Sequence, residues 1–250
     1  MSPTGARGGR QHIPRPPNFV LGQDAPWADL GPNERRFPLA LVRARLEALR
    51  DPDRTQIASG ALVEGLRPSS VLIPLFEEHG EARVVLTRRP DHLPTHQGQV
   101  AFPGGKFEPN VDRDARDTAL READEEIGLP RDAVEIVAEL DHLPSVGGPF
   151  TIAPFVGLLT GRPTLAPSPD EVDRVFDVAL TDLTEPGVHH LEIWEFEWGP
   201  HPVPFFAIAD ETIWGATARM LTSLLTILLG APTSSPANLE TESPENRFPA

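Results

Sequence analysis

The sequence predicts a mixed α+β sandwich. Short apolar runs of strand character recur between positions 69 and 208, and helical periodicity appears in only a few places. The strands and helices do not alternate with the regularity that builds a doubly wound sheet, and no repeat of solenoid length interrupts them.

Taken in order, Pro38 to Arg50 carries Leu39, Leu41, Val42, Leu46 and Leu49 at helical spacing, with charge on the other face. Ser69 to Phe76 and Ala82 to Thr87 are apolar runs separated by His79-Gly80, which reads as a β-hairpin. From Asp112 to Ile127 the pattern turns helical, with Ala115, Ala119, Ala123 and Ile127 at intervals of four. Asp112 can serve as its N-cap, and Gly128 with Pro130 supplies the stop. Strands are expected at Val134 to Leu140, Ile152 to Leu159 and Arg174 to Leu180. A last hairpin is expected over Phe196 to Trp198 and Pro204 to Ile208, and a core helix within Ile213 to Leu229. That last stretch contains Arg219 and several threonines, so it lacks the roughly 20 clean apolar residues of a membrane span.

Composition divides the chain into a Pro/Gly-rich leader at 1–35, expected to be disordered, one folded domain at 36–230, and a disordered polar tail at 231–250. The leader has three arginines up to Pro17 but no apolar core of a secretory signal, so a cytoplasmic protein is expected. A net charge of -15 opposes any partner held by neutralising phosphates along a nucleic acid. A small phosphorylated ligand remains compatible if a metal ion supplies the positive charge. With no cysteine, there is no disulfide, thiolate nucleophile or Cys-type zinc site. A homodimer is one assembly left open.

Glu122, Glu125 and Glu126 stand at i, i+3 and i+4 and project from one helix face. In an acidic chain such a cluster is usually a solvated surface. Here Phe102-Pro103-Gly104-Gly105 precedes it, a loop whose backbone can approach a ligand with no Cβ in the way. Carbonyl and carboxylate oxygens together suit hard cations, Mg²⁺ or Mn²⁺ rather than zinc. Such ions bridge phosphate oxygens and activate a water, and a further glutamate can take its proton. The histidines are read otherwise. His189 and His190 point in different directions on regular structure, and Pro94 breaks any helix joining His92 to His96. Trp194, Trp198 and Trp214 are read as core or interface residues.

The segment Gly104 to Leu129 resembles the Nudix box, G-x5-E-x7-R-E-U-x-E-E-x-G-U, with U bulky and apolar. Every fixed position from Arg121 to Leu129 agrees except the small Ala123. Its first half departs: the glycine-to-arginine spacing is two residues longer, Val111 falls where the first glutamate is counted from Gly105, and either Glu108 or Asp112 replaces it or that glutamate is dispensable. Upstream, Val85-Leu86-Thr87-Arg88-Arg89-Pro90, then Gly98, then Phe102-Pro103-Gly104-Gly105 is similar to the motif of the coenzyme A pyrophosphatase branch. Pro90 and Pro94 stand at a small-residue and an arginine position. Ser168-Pro169-Asp170-Glu171-Val172 with Phe176 and Leu180, and Ile213-Trp214-Gly215-Ala216-Thr217-Ala218-Arg219, are similar to two later motifs of that branch.

The resemblance implies a Nudix α/β/α sandwich with a mixed β-sheet. It implies Glu122, Glu125, Glu126 and the Gly104 carbonyl as metal ligands for Mg²⁺ or Mn²⁺, one glutamate deprotonating or orienting water, and Arg121 orienting the carboxylates. Glu171 is the candidate additional acid, and Arg89, Gln97, Gln99, Gly105 and Lys106 are substrate-side candidates. The implied reaction cleaves coenzyme A or its derivatives to adenosine 3′,5′-bisphosphate and 4′-phosphopantetheine. The alternatives are another nucleoside diphosphate derivative (ADP-ribose, a dinucleotide or a nucleoside triphosphate) and a catalytically weak ligand-sensing module.

Overall fold

The computed structural model describes residues 7–9, 11–49 with the backbone of Arg50, 65–93, 95–146, 148–197 and 199–231. In chain order the elements are β1 (Val20–Leu21), α1 (Leu39–Glu47), β2 (Arg67–Glu78), β3 (Glu81–Arg88), β4 (Val100–Ala101), β5 (Gly104–Lys106) and α2 (Ala115–Ile127). There follow β6 (Glu135–Glu139), β7 (Leu143–Pro144), β8 (Phe150–Leu158), β9 (Arg174–Ala179), α3 (Leu180–Leu183), β10 (His189–Phe196), β11 (Gly199–Ala207), β12 (Thr212–Trp214) and α4 (Gly215–Leu229).

The larger sheet runs β4-β3-β2-β8-β6, with β5 paired to β2, β7 to β8 and β9 to β3. It is mixed because β2 and β8 are parallel while β3 returns antiparallel to β2. Alternation along β2 explains the layering. Leu72 and Phe76 face α2, packing with Ala119, Ala123 and Ile127. Ile73 and Leu75 face the other way, into the cluster that includes Val42 and Leu46 of α1 and Leu221, Leu224 and Leu225 of α4. Both faces of the sheet are therefore dry, as expected of the sandwich. Among the described residues no helix is long and apolar enough to cross a membrane.

Several expected elements take a different form. The last hairpin is longer than its two apolar runs: β10 and β11 pair from His189↔Phe206 to Phe196↔Gly199 and form a second sheet, β1-β10-β11-β12. The stretch expected as one helix from Ile213 first completes β12, and α4 begins at Gly215. The cap of α2 is Asp114, whose carboxylate accepts from Asp117 N at 2.8 Å; Asp112 is drawn instead to an arginine. Gly128 ends α2 in the left-handed region, at φ 65°, which a glycine adopts without a Cβ penalty. Trp194 is buried and Trp214 half-buried; Trp198, Pro94 and the expected tail beyond Ala231 lie outside the described residues.

Much of the leader expected to be disordered is laid along the second sheet. Val20 and Leu21 pair with Ile193 and Glu192, Ile13 and Phe19 pack on Trp194, Val203 and Phe205, and Trp27 is 2% exposed. Averaged composition misses this because a few well-spaced apolar side chains anchor a segment otherwise made of Pro, Gly and polar residues. Arg15 of this strap bonds buried Glu192 and lies over the rings of Phe19 and Phe205.

His189 and His190 occupy opposite faces of β10, as adjacent strand residues must. His190 stacks on Phe205 and meets Glu192 at 3.2 Å. His189 lies edge-on to Trp27 and Phe206, and neither ring nitrogen has a hydrogen-bond partner among the described residues. Burial holds it neutral, lowering its pKa from 6.5 to about 4, with His190 adding to the effect. The unfolded chain thus takes up a proton first as pH falls, so stability is intact above pH 6.5 and drains away down to pH 4. The full loss is on the order of 3 kcal/mol at about 1.4 kcal/mol per unit. Urea unfolding at several pH values between these limits should show this slope, and His189→Phe should flatten it.

Candidate active site

The glycine loop and α2 meet because β5 is stitched to β2. Val71 and Ser70 pair with Gly104 and Gly105. A Cβ on Gly104 would lie 2.3 Å from the Ser70 carbonyl oxygen, and one on Gly105 would lie 2.4 Å from the carboxyl carbon of Glu122. The two glycines are therefore required by the close approach of a neighbouring strand on one side and of a carboxylate on the other.

Arg121 sits below that contact, 4% exposed. Its Nε and Nη2 donate to the two oxygens of Asp112 at 2.7 and 3.0 Å, and Nη2 also donates to the Lys106 carbonyl at 3.2 Å. Its Nη1 lies 2.9 Å from both Glu122 Oε1 and Glu125 Oε2. Asp112 further accepts from Thr118 Oγ1 at 3.0 Å and from Glu108 N at 2.8 Å. Four donors satisfy this carboxylate, the Arg121 guanidinium first among them, and its pKa falls to about 2. Of the two residues left to replace the box's first glutamate, Asp112 makes these contacts while Glu108 stays exposed.

The three helix carboxylates differ in environment. Glu125 is exposed apart from its bond to Arg121. Glu122 is half-buried, and burial raises its pKa against the pull of Arg121, with Glu125 and Glu171 adding to the rise. Glu126 is 7% exposed and accepts from the Gly104 N–H at 3.2 Å. Burial pushes its carboxyl up to about 8; the Gly104 bond and Arg89 oppose this, while Glu122 and Glu171 reinforce it. Glu171 therefore lies within electrostatic reach of both Glu122 and Glu126, although it is more than 40 residues away in sequence.

The residues expected on the substrate side are brought together unequally. Arg89 faces Glu126 electrostatically, and its Nε is buried with no hydrogen-bond partner among the described residues. Gln99 gives its carbonyl to Arg89 N at 3.0 Å, while its side-chain oxygen lies 2.9 Å from His96 Nδ1. Gln97 is exposed. Lys106 is exposed too, with its ammonium 5.6 Å from the centre of the Phe150 ring.

As the side chains stand, among the described residues no group of three or more His, Asp or Glu is gathered tightly enough to hold an ion. The reason is visible in Arg121, which holds Glu122 and Glu125 toward itself. The donor set nonetheless fits a hard divalent cation: a nearly buried carboxyl accepts one peptide N–H, and two further acids raise its pKa. Glu211 and Gln11, whose side chains meet although 200 residues apart, lie in no sequence motif.

Residues 66–200 match the NUDIX domain family. Nudix hydrolase 22, chloroplastic, of Arabidopsis thaliana is 36% identical over 211 residues, covering 76% of this chain and 67% of that protein. An uncharacterized Nudix hydrolase NudL of Photorhabdus laumondii is 37% identical over 164 residues, covering 65% of this chain and 86% of its own. Among solved structures, a MutT/nudix family protein from Enterococcus faecalis aligns over 67% of this chain and 68% of its own, with a TM-score of 0.45 and 16% identity. With a family match over more than half its length and relatives above one-third identity across their domains, this chain belongs to the Nudix hydrolase family.

Proposed function

We propose that the chain is a Mg²⁺- or Mn²⁺-dependent hydrolase of the diphosphate in coenzyme A or its derivatives. Water attacks one phosphorus, the bridging P–O bond breaks, and the products are adenosine 3′,5′-bisphosphate and 4′-phosphopantetheine. The observation that carries the hydrolytic part is the buried Glu126 carboxyl against the Gly104 N–H, with Glu122 and Glu171 beside it. The coenzyme A part rests on the motif from Val85 to Gly105, whose gaps agree with that branch and whose Arg89, within electrostatic reach of Glu126, has a buried Nε with no hydrogen-bond partner among the described residues. Pro94, at an arginine position of the motif, favours a second reading: hydrolysis of another nucleoside diphosphate derivative that needs no charge-assisted contact there.

On this reading Glu122, Glu125, Glu126 and the Gly104 carbonyl are the ligands. A bound divalent cation would neutralise diphosphate charge and lower the pKa of its water. Glu122 or Glu125 takes the proton of the attacking water; both are held within one hydrogen bond of Arg121, so their oxygens start from a fixed position. Arg121 is buried behind them and acts as a positioning residue. Arg89, Gln97, Gln99, Gly105 and Lys106 line the approach of the substrate.

Purified protein given Mg²⁺ or Mn²⁺ and a panel of diphosphates should release adenosine 3′,5′-bisphosphate from coenzyme A; a strong preference for ADP-ribose would transfer the assignment to the second reading. Glu126→Gln should abolish turnover while leaving the melting temperature near that of the wild type, since it removes one buried acid and keeps its shape. Arg121→Ala should cost about 3–5 kcal/mol, because Asp112 is left buried and unpaired; denaturant titration reads this directly. With Glu126 held protonated at neutral pH, up to a pKa of about 8, metal binding at pH 7 should release a proton. Calorimetric titrations in buffers of different ionisation enthalpy would detect it, and no buffer dependence would remove Glu126 from the ligand set.

A further inference from the structure

Glu171, exposed and within electrostatic reach of Glu122 and Glu126, is carried on a loop that is tied at both ends. Its near end is tied to the last turn of α2: Ala166 N donates to the Ile127 carbonyl and Ser168 N to the Glu126 carbonyl, both at 2.8 Å. Within it, Glu171 N and Val172 N both donate to the Ser168 carbonyl, and Val172 is buried against the α2 face of the sheet. The far end is the start of β9. There Asp173 N donates to the Arg88 carbonyl at 2.9 Å, and Arg88 Nη1 stands 3.8 Å from the Asp173 carboxylate.

The next residue, Arg174, is half-exposed and points to Glu211, which is 2% exposed, at 3.2 Å. A buried carboxylate needs more than one partner, and Glu211 has a second in the Gln11 amide of the N-terminal strap. Gln11 in turn accepts from Thr212 N at 3.2 Å, and Gly9 N donates to Thr212 Oγ1 at 3.0 Å. Glu211 is thus a fixed post, built from two sheets and the strap, and Arg174 is the only residue through which it touches the loop by an ion pair among the described residues.

We propose that Glu211 is a positioning residue for Glu171: through Arg174 it pins the far end of the 166–173 loop, so that Glu171 is held facing Glu122 and Glu126. This rests on the proposed metal-dependent reading, in which Glu171 belongs with the box carboxylates. Glu211 is 2% exposed and acts through Arg174. Its effect is read in the metal site.

The test is direct Mn²⁺ binding, by titration calorimetry or electron paramagnetic resonance, together with steady-state kinetics, on the full chain. Glu211→Gln should weaken Mn²⁺ affinity about tenfold, the low end for groups that orient metal ligands. It should lower kcat by a similar factor and leave KM unchanged. Glu171→Ala should do the same or more, and the double variant should be no worse than Glu171→Ala alone, because both substitutions remove one interaction. A merely structural role for Glu211 would lower the melting temperature and leave Mn²⁺ affinity per folded molecule unmoved. Arg174→Gln breaks the same contact from an exposed side chain and decides the matter if Glu211→Gln does not fold. Wild-type Mn²⁺ affinity in the folded variants, or losses that multiply in the double variant, would overturn the proposal. A wild type that binds Mn²⁺ yet cleaves no diphosphate would defeat the proposed function alone, and the binding experiment would still decide the coupling.

Discussion

The guanidinium of Arg121 is the constraint on which the site depends. A buried cation must be surrounded by acceptors, and this one takes Asp112 on one edge, the Lys106 carbonyl beside it, and Glu122 with Glu125 on the third. Those acceptors come from the loop after β5, from β5 itself and from α2, so satisfying one side chain fixes three pieces of backbone relative to one another. Such a network specifies geometry more than it stabilises, since the gain in Coulomb energy is spent largely on desolvation.

The longer loop between Gly105 and Arg121 follows from the same constraint. Asp112 N and Val111 N both donate to the Glu108 carbonyl, and Asp112 accepts from Glu108 N, so residues 108–112 form a closed turn. Val111, which counting from Gly105 puts at the glutamate position, is 57% exposed, and its neighbour faces inward with a shorter acid. The two additional residues bring the chain round so that an aspartate reaches Arg121. Glu126, by contrast, has no bond to Arg121, and burial dominates its protonation, while Glu125 is bound to Arg121 at 2.9 Å.

How much was legible follows from how local each signal is. The hairpin of β2 and β3, the strand β8 and the body of α2 are written in periodicities of two and 3.6, and each is found within about two residues. The second sheet is obscured by Pro200, Pro202 and Pro204, which argue against a strand. In β11 they fall on alternate residues, so every missing N–H lies on the same side. That side is open, since β12 covers only Phe205 to Ala207. β1, only two residues long, carries no period at all. In the candidate site, Glu122, Glu125, Glu126 and Arg121 are legible as a group because one helix face collects them. Glu171 was legible only as a candidate, and Glu211 with Gln11 not at all, because 200 residues separate two side chains that meet.

The charge of -15 sharpens what the site can accept on the proposed reading. A long polyanion lying along the acidic surface would meet repulsion wherever it came within the roughly 10 Å over which salt leaves charges unscreened. A compact diphosphate needs attraction only where it binds. Arg89 is within electrostatic reach of Glu126, while Gln97 and Lys106, the residue after Gly105, are exposed. The rest of the positive charge must come from the cation that Glu122, Glu125 and Glu126 are suited to hold. On that reading a bound cation supplies the attraction that the acidic surface alone would withhold from an anionic substrate.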